Sequence, residues 1–280
     1  MTYTRFSKLD KKTAIKILSE RTLNNFEVNL KTIKFCVDNK FSGYRMSSSL
    51  MPLIGHPKID FGFFDLPDFQ KIKDILDQTK SFIKSSGIRI SAHPSEYISL
   101  TSDQERVITN SIKDLEMHAL LFDLLDLPKN YSSPLNIHCR QDGDPIKVSG
   151  DFFRNFDRLN DSVKSRLVVE VNDNKNGTWT INNLYKHFYK NRNVPITYDS
   201  LHHSFCNDGN SHKDAFDLAY STWNVEPLFH YSEGKNGTRS HADYATSLPV
   251  SFGKSVVWDV ELKAKDFAIK RILAENEISG

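Results

Sequence analysis

Six residues able to bind a metal ion recur along this chain at a regular interval. His93, His138, Glu170, Asp199, His230 and Glu261 each close a short apolar run. From His138 onward the interval stays near the roughly thirty residues of one strand–helix–strand repeat. The stretch ITYDSLHHSF, residues 196–205, shows the pattern at its densest: Asp199 ends the run, and His202 and His203 follow directly. Imidazoles and carboxylates without a thiolate suit Mn2+, Zn2+ or Fe2+ in a catalytic role better than a structural zinc site. Two or three such ions around a bridging carboxylate would activate a water and stabilise in-line displacement at a phosphodiester. His202 lies just behind Asp199, and His241 and His56 fall in other loops from which they could join the cluster. Singly, any of these residues is more simply a cap or a surface group. As a set they are not, because gathering charges among apolar segments is costly unless they are paired or bound to cations. His118 and His187, inside helical patterns, and His212, near a helix start, are read as structural. His203 points differently from His202, so only one of the two is expected to ligate.

The elements that must position this set are legible as an alternation. Short β-branched runs occupy 43–47, 88–93, 134–139, 166–171, 195–200, 227–232 and 255–262. They lack clean polar alternation and so suit strands buried on both faces. Helical patterns fill 10–39, 69–86, 103–125, 151–164, 180–191, 212–223 and 264–275. Repeated strand–helix units imply a parallel sheet with right-handed crossovers. In a TIM-type (β/α) barrel the C-terminal strand ends converge on one axis, whereas in an open doubly wound sheet they would lie in a row. The periodic ligands therefore favour the barrel, with seven strands counted where eight are usual. No linker divides the 280 residues, and a single domain over 1–280 is expected. No signal peptide or membrane span is visible, and the three cysteines show no metal-binding or disulfide spacing. Together these point to a cytoplasmic location (nuclear in a eukaryote) rather than secretion. The net charge of +2 permits nucleic-acid binding without requiring it.

Several stretches together resemble one family: YRMSSSLMPLIGHP, RISAHPSEYI, RLVVEVND, DSLHHS, FHYSEG, SHA and VELKAK. In order and spacing, from about residue 8 to the end, they are similar to UV damage endonuclease, a metal-dependent repair nuclease of TIM-barrel fold related to endonuclease IV. The resemblance implies that His93, His138 and Glu170 hold one ion. Glu170 would bridge to a second held by Asp199, His230 and Glu261, with His202 and His241 at a third position. Glu170, His93, Asp199 and Glu261 would form the catalytic core. It further implies manganese, damaged double-stranded DNA as partner, no organic cofactor, and a nick 5′ of pyrimidine dimers and other distortions. HPSEY falls where the family carries a Gln-Tyr pair that probes the DNA opposite the lesion; here Tyr97 matches and Glu96 replaces the amide. The family also opens on a strand with a Gly-Tyr motif and an asparagine, for which MTYTRF is a poor substitute, so the first strand is expected to be missing or altered. Some relatives carry a modified lysine at the place of Leu228.

His56, Arg45, Lys235 and Arg239 complete the expected DNA- and lesion-binding set, with Lys58, Arg140, Lys147, Lys175 and Lys263 as further basic residues near the barrel mouth. Three other readings stay open: an abasic-site endonuclease, a metal-dependent sugar isomerase on the same barrel, and a catalytically inactive binder of damaged DNA.

Overall fold

The computed structural model describes residues 2–56, 58–139 and 142–277, the side chain of residue 277 excepted. All seven expected strands are present: β1 (Gly43–Met46), β2 (Arg89–Ala92), β3 (Leu135–His138), β4 (Leu167–Glu170), β5 (Ile196–Thr197), β6 (Leu228–Tyr231) and β7 (Val257–Val260). The helices are α1 (Tyr3–Phe6), α2 (Lys11–Asp38), α3 (Phe69–Ser86), α4 (Glu105–Leu124), α5 (Pro145–Phe156), α6 (Asp161–Lys164), α7 (Ile181–Leu184), α8 (Lys190–Arg192), α9 (Ser200–Phe205), α10 (His212–Tyr220) and α11 (Asp266–Glu277). The chain forms two compact units, one of residues 1–98, 103–135 and 158–166, the other of 99–102, 136–157 and 167–280.

In the first unit β1 pairs in parallel with β2, from Gly43 opposite Arg89 to Met46 opposite Ala92, and Ala92 faces Leu135 at the start of β3. Helices α2 and α3 pack together over Leu18, Phe26, Ile33, Ile72 and Leu76, all buried. The α3 helix stops at Gly87, whose φ of 69° is the left-handed conformation that lets its N–H reach Ile83 O at 2.9 Å. Arg166 is fully buried in this unit and donates to Asp123, Pro128, Leu127 and Ser162.

In the second unit the strands follow one another in chain order. β4 pairs in parallel with β5, Val169 opposite Ile196 and Glu170 opposite Thr197. Asp199 bridges to His230, and β6 pairs in parallel with β7, His230 opposite Asp259. Every residue of β4 and β6 is buried, as continuous apolar runs predict. Tyr198, Phe216, Phe229 and Trp258 form an aromatic cluster behind these strands, with Phe216 and Phe229 edge to face at 5.2 Å.

Three helix expectations are corrected. The pattern at 151–164 is two helices, because Asp144 caps a start at Pro145 and Asn160 caps a second at Asp161. The pattern at 180–191 contains a π-helix, Tyr185–Tyr189, between α7 and α8. The segment carrying His202 is the helix α9 rather than a loop, because Asp199 Oδ1 accepts from His202 N at 2.7 Å and caps it. Cys36, Cys139 and Cys206 are all buried thiols. Among the described residues no helix is long and apolar enough to cross a membrane.

Candidate metal centre

Strand ends explain the gathering of ligands. Parallel strands in consecutive order place their C-terminal residues side by side, and side chains two apart share a face. The second unit thus brings together His138, Glu170, Asp199, His202, His230, His241 and Glu261. Glu170 lies at the centre, fully buried. Its Oε1 is 3.0 Å from His202 Nδ1 and 3.2 Å from His230 Nδ1, and its Oε2 is 3.6 Å from His138 Nε2. His230 Nδ1 also lies 3.4 Å from Glu261 Oε1, and His241 Nδ1 lies 3.7 Å from Glu261 Oε2. Glu170, Asp199 and His202 each offer one ligand atom within 4.8 Å of the others, and so do Asp199, His230 and Glu261.

Charge follows from this crowding. Burial alone would raise Glu170, but His230, His138 and His202 hold its carboxyl well below the usual range. Burial would lower His202, yet Asp199 and Glu170 push it up to about 10, and Glu170 and Glu261 push His230 up to about 9 against the same burial. Asp199 is raised to about 6, by burial first and then by the neighbouring Glu170 and Glu261.

The donor set fits divalent cations. Asp199 Oδ2 is buried with no hydrogen-bond partner among the described residues, while Oδ1 is spent on the cap of α9. A buried carboxylate oxygen left so is costly unless a cation meets it. The imidazoles are oriented as ligands usually are, with one nitrogen tied back to the protein. His241 Nδ1 donates to Glu261 O at 2.6 Å and His202 Nδ1 to Val171 O at 3.2 Å, so that Nε2 is the nitrogen each neutral ring would turn to an ion. In the first unit His93 stands one residue beyond β2, and its Nδ1 donates to Pro94 O at 3.2 Å.

His203 is turned away, with Nε2 donating to Asn210 O at 3.2 Å and its ring against Tyr198 and His212. His118 pairs with Asp114, as a structural histidine would. Sequence reasoning missed two polar residues. Asn136 donates Nδ2 to Glu170 Oε2, and Asp259 Oδ2 lies 3.9 Å from His230 Nε2. Each stands on a strand two positions before a named ligand, and that spacing was the available signal.

The remaining expected residues divide as follows. In the first unit Tyr97 is 82% exposed rather than packed, Glu96 beside it is exposed, and Arg45 is half-buried on β1. His56 stacks on Tyr3 at 4.6 Å between ring centres. In the second unit Lys235 pairs with Asp243 at 3.3 Å, Lys147 with Asp151 at 3.1 Å, and Arg239 with Asn174 at 2.9 Å. Arg140 lies outside the described residues.

A sequence model of the UV-endonuclease UvdE family matches residues 1–279. The chain belongs to the UvdE family. The UvdE relatives include the UV DNA damage endonuclease of Nostoc sp., 30% identical over 97% of this chain and 84% of the relative. That of Bacillus pumilus is 30% identical over 98% and 87%. The crystal structure of SacUVDE superposes with a TM-score of 0.82 at 27% identity, covering 98% of this chain and 91% of that one. A D-tagatose 3-epimerase-like protein, at 15% identity and a TM-score of 0.54, is similar in fold alone. This UvdE chain is thus an α/β protein of TIM-barrel type, in a family of DNA-repair endonucleases.

Proposed function

We propose that this protein hydrolyses a phosphodiester bond of damaged duplex DNA, 5′ of UV photoproducts and other distorting lesions, with divalent ions held by the strand-end residues. The carrying observation is the fully buried Glu170 among His138, His202 and His230, next to an Asp199 oxygen that no donor among the described residues meets. His93, His138 and Glu170 would hold one ion, Asp199, His230, Glu261 and Glu170 a second, and His202 with His241 a third. Mn2+ is the ion we propose, as the resemblance to UV damage endonuclease implies; the carboxylates suit it, and the imidazoles would also take Zn2+ or Fe2+. The chemistry supplied on binding is Lewis-acidic: a water becomes more acidic and charge on the phosphate is offset.

The protein's own share is positioning. Asn136 holds the Glu170 carboxylate in place, and the Glu261 and Val171 carbonyls fix the rings of His241 and His202. Tyr97, exposed beside Glu96, supplies a ring that can stack where bases are displaced. Arg45 and His56 would assist at the lesion. Lys235 and Arg239 would exchange their present acidic or amide partners for phosphates. Such a protein would work where the chromosome is, in the cytoplasm of a bacterium or the nucleus of a eukaryote.

Incubation with UV-irradiated and with abasic-site duplexes in Mn2+ tests this reading. Nicking of the irradiated duplex is expected, and Glu170→Gln is expected to abolish it. Nicking that survives Glu170→Gln would reject the assignment of the bridging carboxylate.

A further inference from the structure

The segment between β6 and β7 carries His241 on an arm whose two ends are fastened to each other. Its start meets its return in one antiparallel bridge, Gly234 opposite His241. Around that bridge Ala242 N donates to Glu233 O at 2.8 Å and Lys235 N to Ser240 O at 2.6 Å. The arm turns through Asn236 and Gly237, with φ of 53° and 70°. Past β7, Lys263 N donates to Ala242 O at 3.0 Å. The arm also meets the helix that carries His202. A Cβ on Gly234 would stand 2.3 Å from Thr238 O and 3.1 Å from Leu201 Cδ1, so glycine is what permits this approach. Leu201 directly precedes His202, and the rings of His202 and His241 lie 6.4 Å apart between centres.

One side chain closes the arm. Glu233 is half-buried at its root, three residues past His230. Its Oε1 accepts from Thr246 N at 2.7 Å, Thr246 Oγ1 at 3.0 Å and Ser247 N at 3.1 Å, and its Oε2 from Thr246 Oγ1 at 3.1 Å. Tyr231 OH, which donates to Ser247 O, lies 3.1 Å from the same Oε1. Among the described residues the Glu233 carboxylate is thus spent on Tyr231, Thr246 and Ser247, and on none of the candidate ligands. Burial would raise its carboxyl, but the Thr246 and Ser247 donors hold it below its ordinary value. A carboxylate collecting several N–H and O–H donors is a strong, charge-assisted clamp.

We propose that Glu233 is a positioning residue: by fastening residues 246–247 to the root of the arm, it holds His241 beside His202 and so completes the ion position that these two imidazoles share. The inference rests on the metal-ion reading of the site, and it concerns the ion at His202 and His241 alone. Its test does not depend on cleavage.

Full-length protein is dialysed to equilibrium against Mn2+, and the bound metal is counted by atomic absorption. His241→Ala defines the ion that depends on the arm. Glu233→Ala should weaken that ion by about 10- to 100-fold, the usual loss when the support of a ligand is removed, and leave the other ions as they are. In the His241→Ala background Glu233→Ala should weaken nothing further, because both changes act through one ring. Glu233→Gln keeps an oxygen for the Thr246 and Ser247 amides and should lose less; it serves the same comparison if Glu233→Ala does not fold. Metal-free protein gives a second readout: the amide hydrogens of Ala242 and Lys263 should exchange faster in Glu233→Ala than in the unaltered chain. Uptake equal to that of the unaltered chain, equal weakening of every ion, a further loss in the His241→Ala background, or unchanged amide exchange would overturn the proposal. If the unaltered chain takes up no Mn2+, the metal-ion reading fails and this inference with it. If it takes up Mn2+ and Glu233→Ala has no effect, this inference fails and the metal-ion reading stands.

Discussion

At the residue scale the proposed metal centre is a proton store. His202 and His230, raised to about 10 and 9, carry protons at neutral pH, and a divalent ion must displace them to reach the ring nitrogens. Raised values mean that the protons stay bound to higher pH than on a free imidazole. Metal affinity should therefore climb with pH through the neutral range and level off above about 10. Below about 6 a third proton, on Asp199, adds to the competition. Calorimetry in buffers of differing ionisation enthalpy should show about two protons released per saturated centre near neutrality. The gathering of the candidate ligands was legible because chemistry and spacing coincided at each strand end. Asn136 and Asp259 were not, since a lone amide and a further carboxylate gain meaning only once the strand face is known. Arg166 was silent for the same reason. A buried guanidinium reads as a surface residue until Asp123 is seen 2.8 Å away. Arg166→Met should lower unfolding free energy by about 3–5 kcal/mol, because the Asp123 carboxylate and three carbonyls lose their donor. Denaturant melts check this.

At the element scale Asp199 has two tasks, one per oxygen, and they can be separated. Asp199→Asn keeps a side-chain oxygen for the α9 cap but removes the anionic ligand; Asp199→Ala removes both. Both variants should lose metal-dependent nicking. Only Asp199→Ala should lose stability as well, by about 1 kcal/mol in thermal melts of the metal-free protein. Equal stability of the two would mean that the cap contributes nothing. Strand positions were readable to within three residues, since buried parallel strands are short apolar runs bounded by turns. Helix interiors were less so. The π-helix at Tyr185–Tyr189 lies within an ordinary amphipathic pattern, and the start of α5 at Pro145 was hidden because Pro-Ile-Lys-Val lacks a helical stripe of its own.

For the whole molecule, the two units are interleaved in sequence: the chain passes repeatedly from one to the other, and β3 contributes Leu135 to the first and its remainder to the second. Neither unit is a continuous segment, and one family model spans both. We therefore propose a single nuclease domain and expect one cooperative unfolding transition, with fluorescence and circular dichroism coinciding. Two resolved transitions would count against it. The sequence showed no linker and so could suggest one domain, but the division into compact units depends on contacts that no local pattern encodes.

The burial of all three thiols gives the protein a built-in reporter of its own opening. Cys139 is shifted upward by burial, and Cys206, by the same cause, to about 11, so neither offers appreciable thiolate at neutral pH. Alkylating reagents must then wait for the chain to expose its interior. The pace at which iodoacetamide marks Cys36, Cys139 and Cys206 becomes a clock for rare excursions from the native state, one that needs no engineered label.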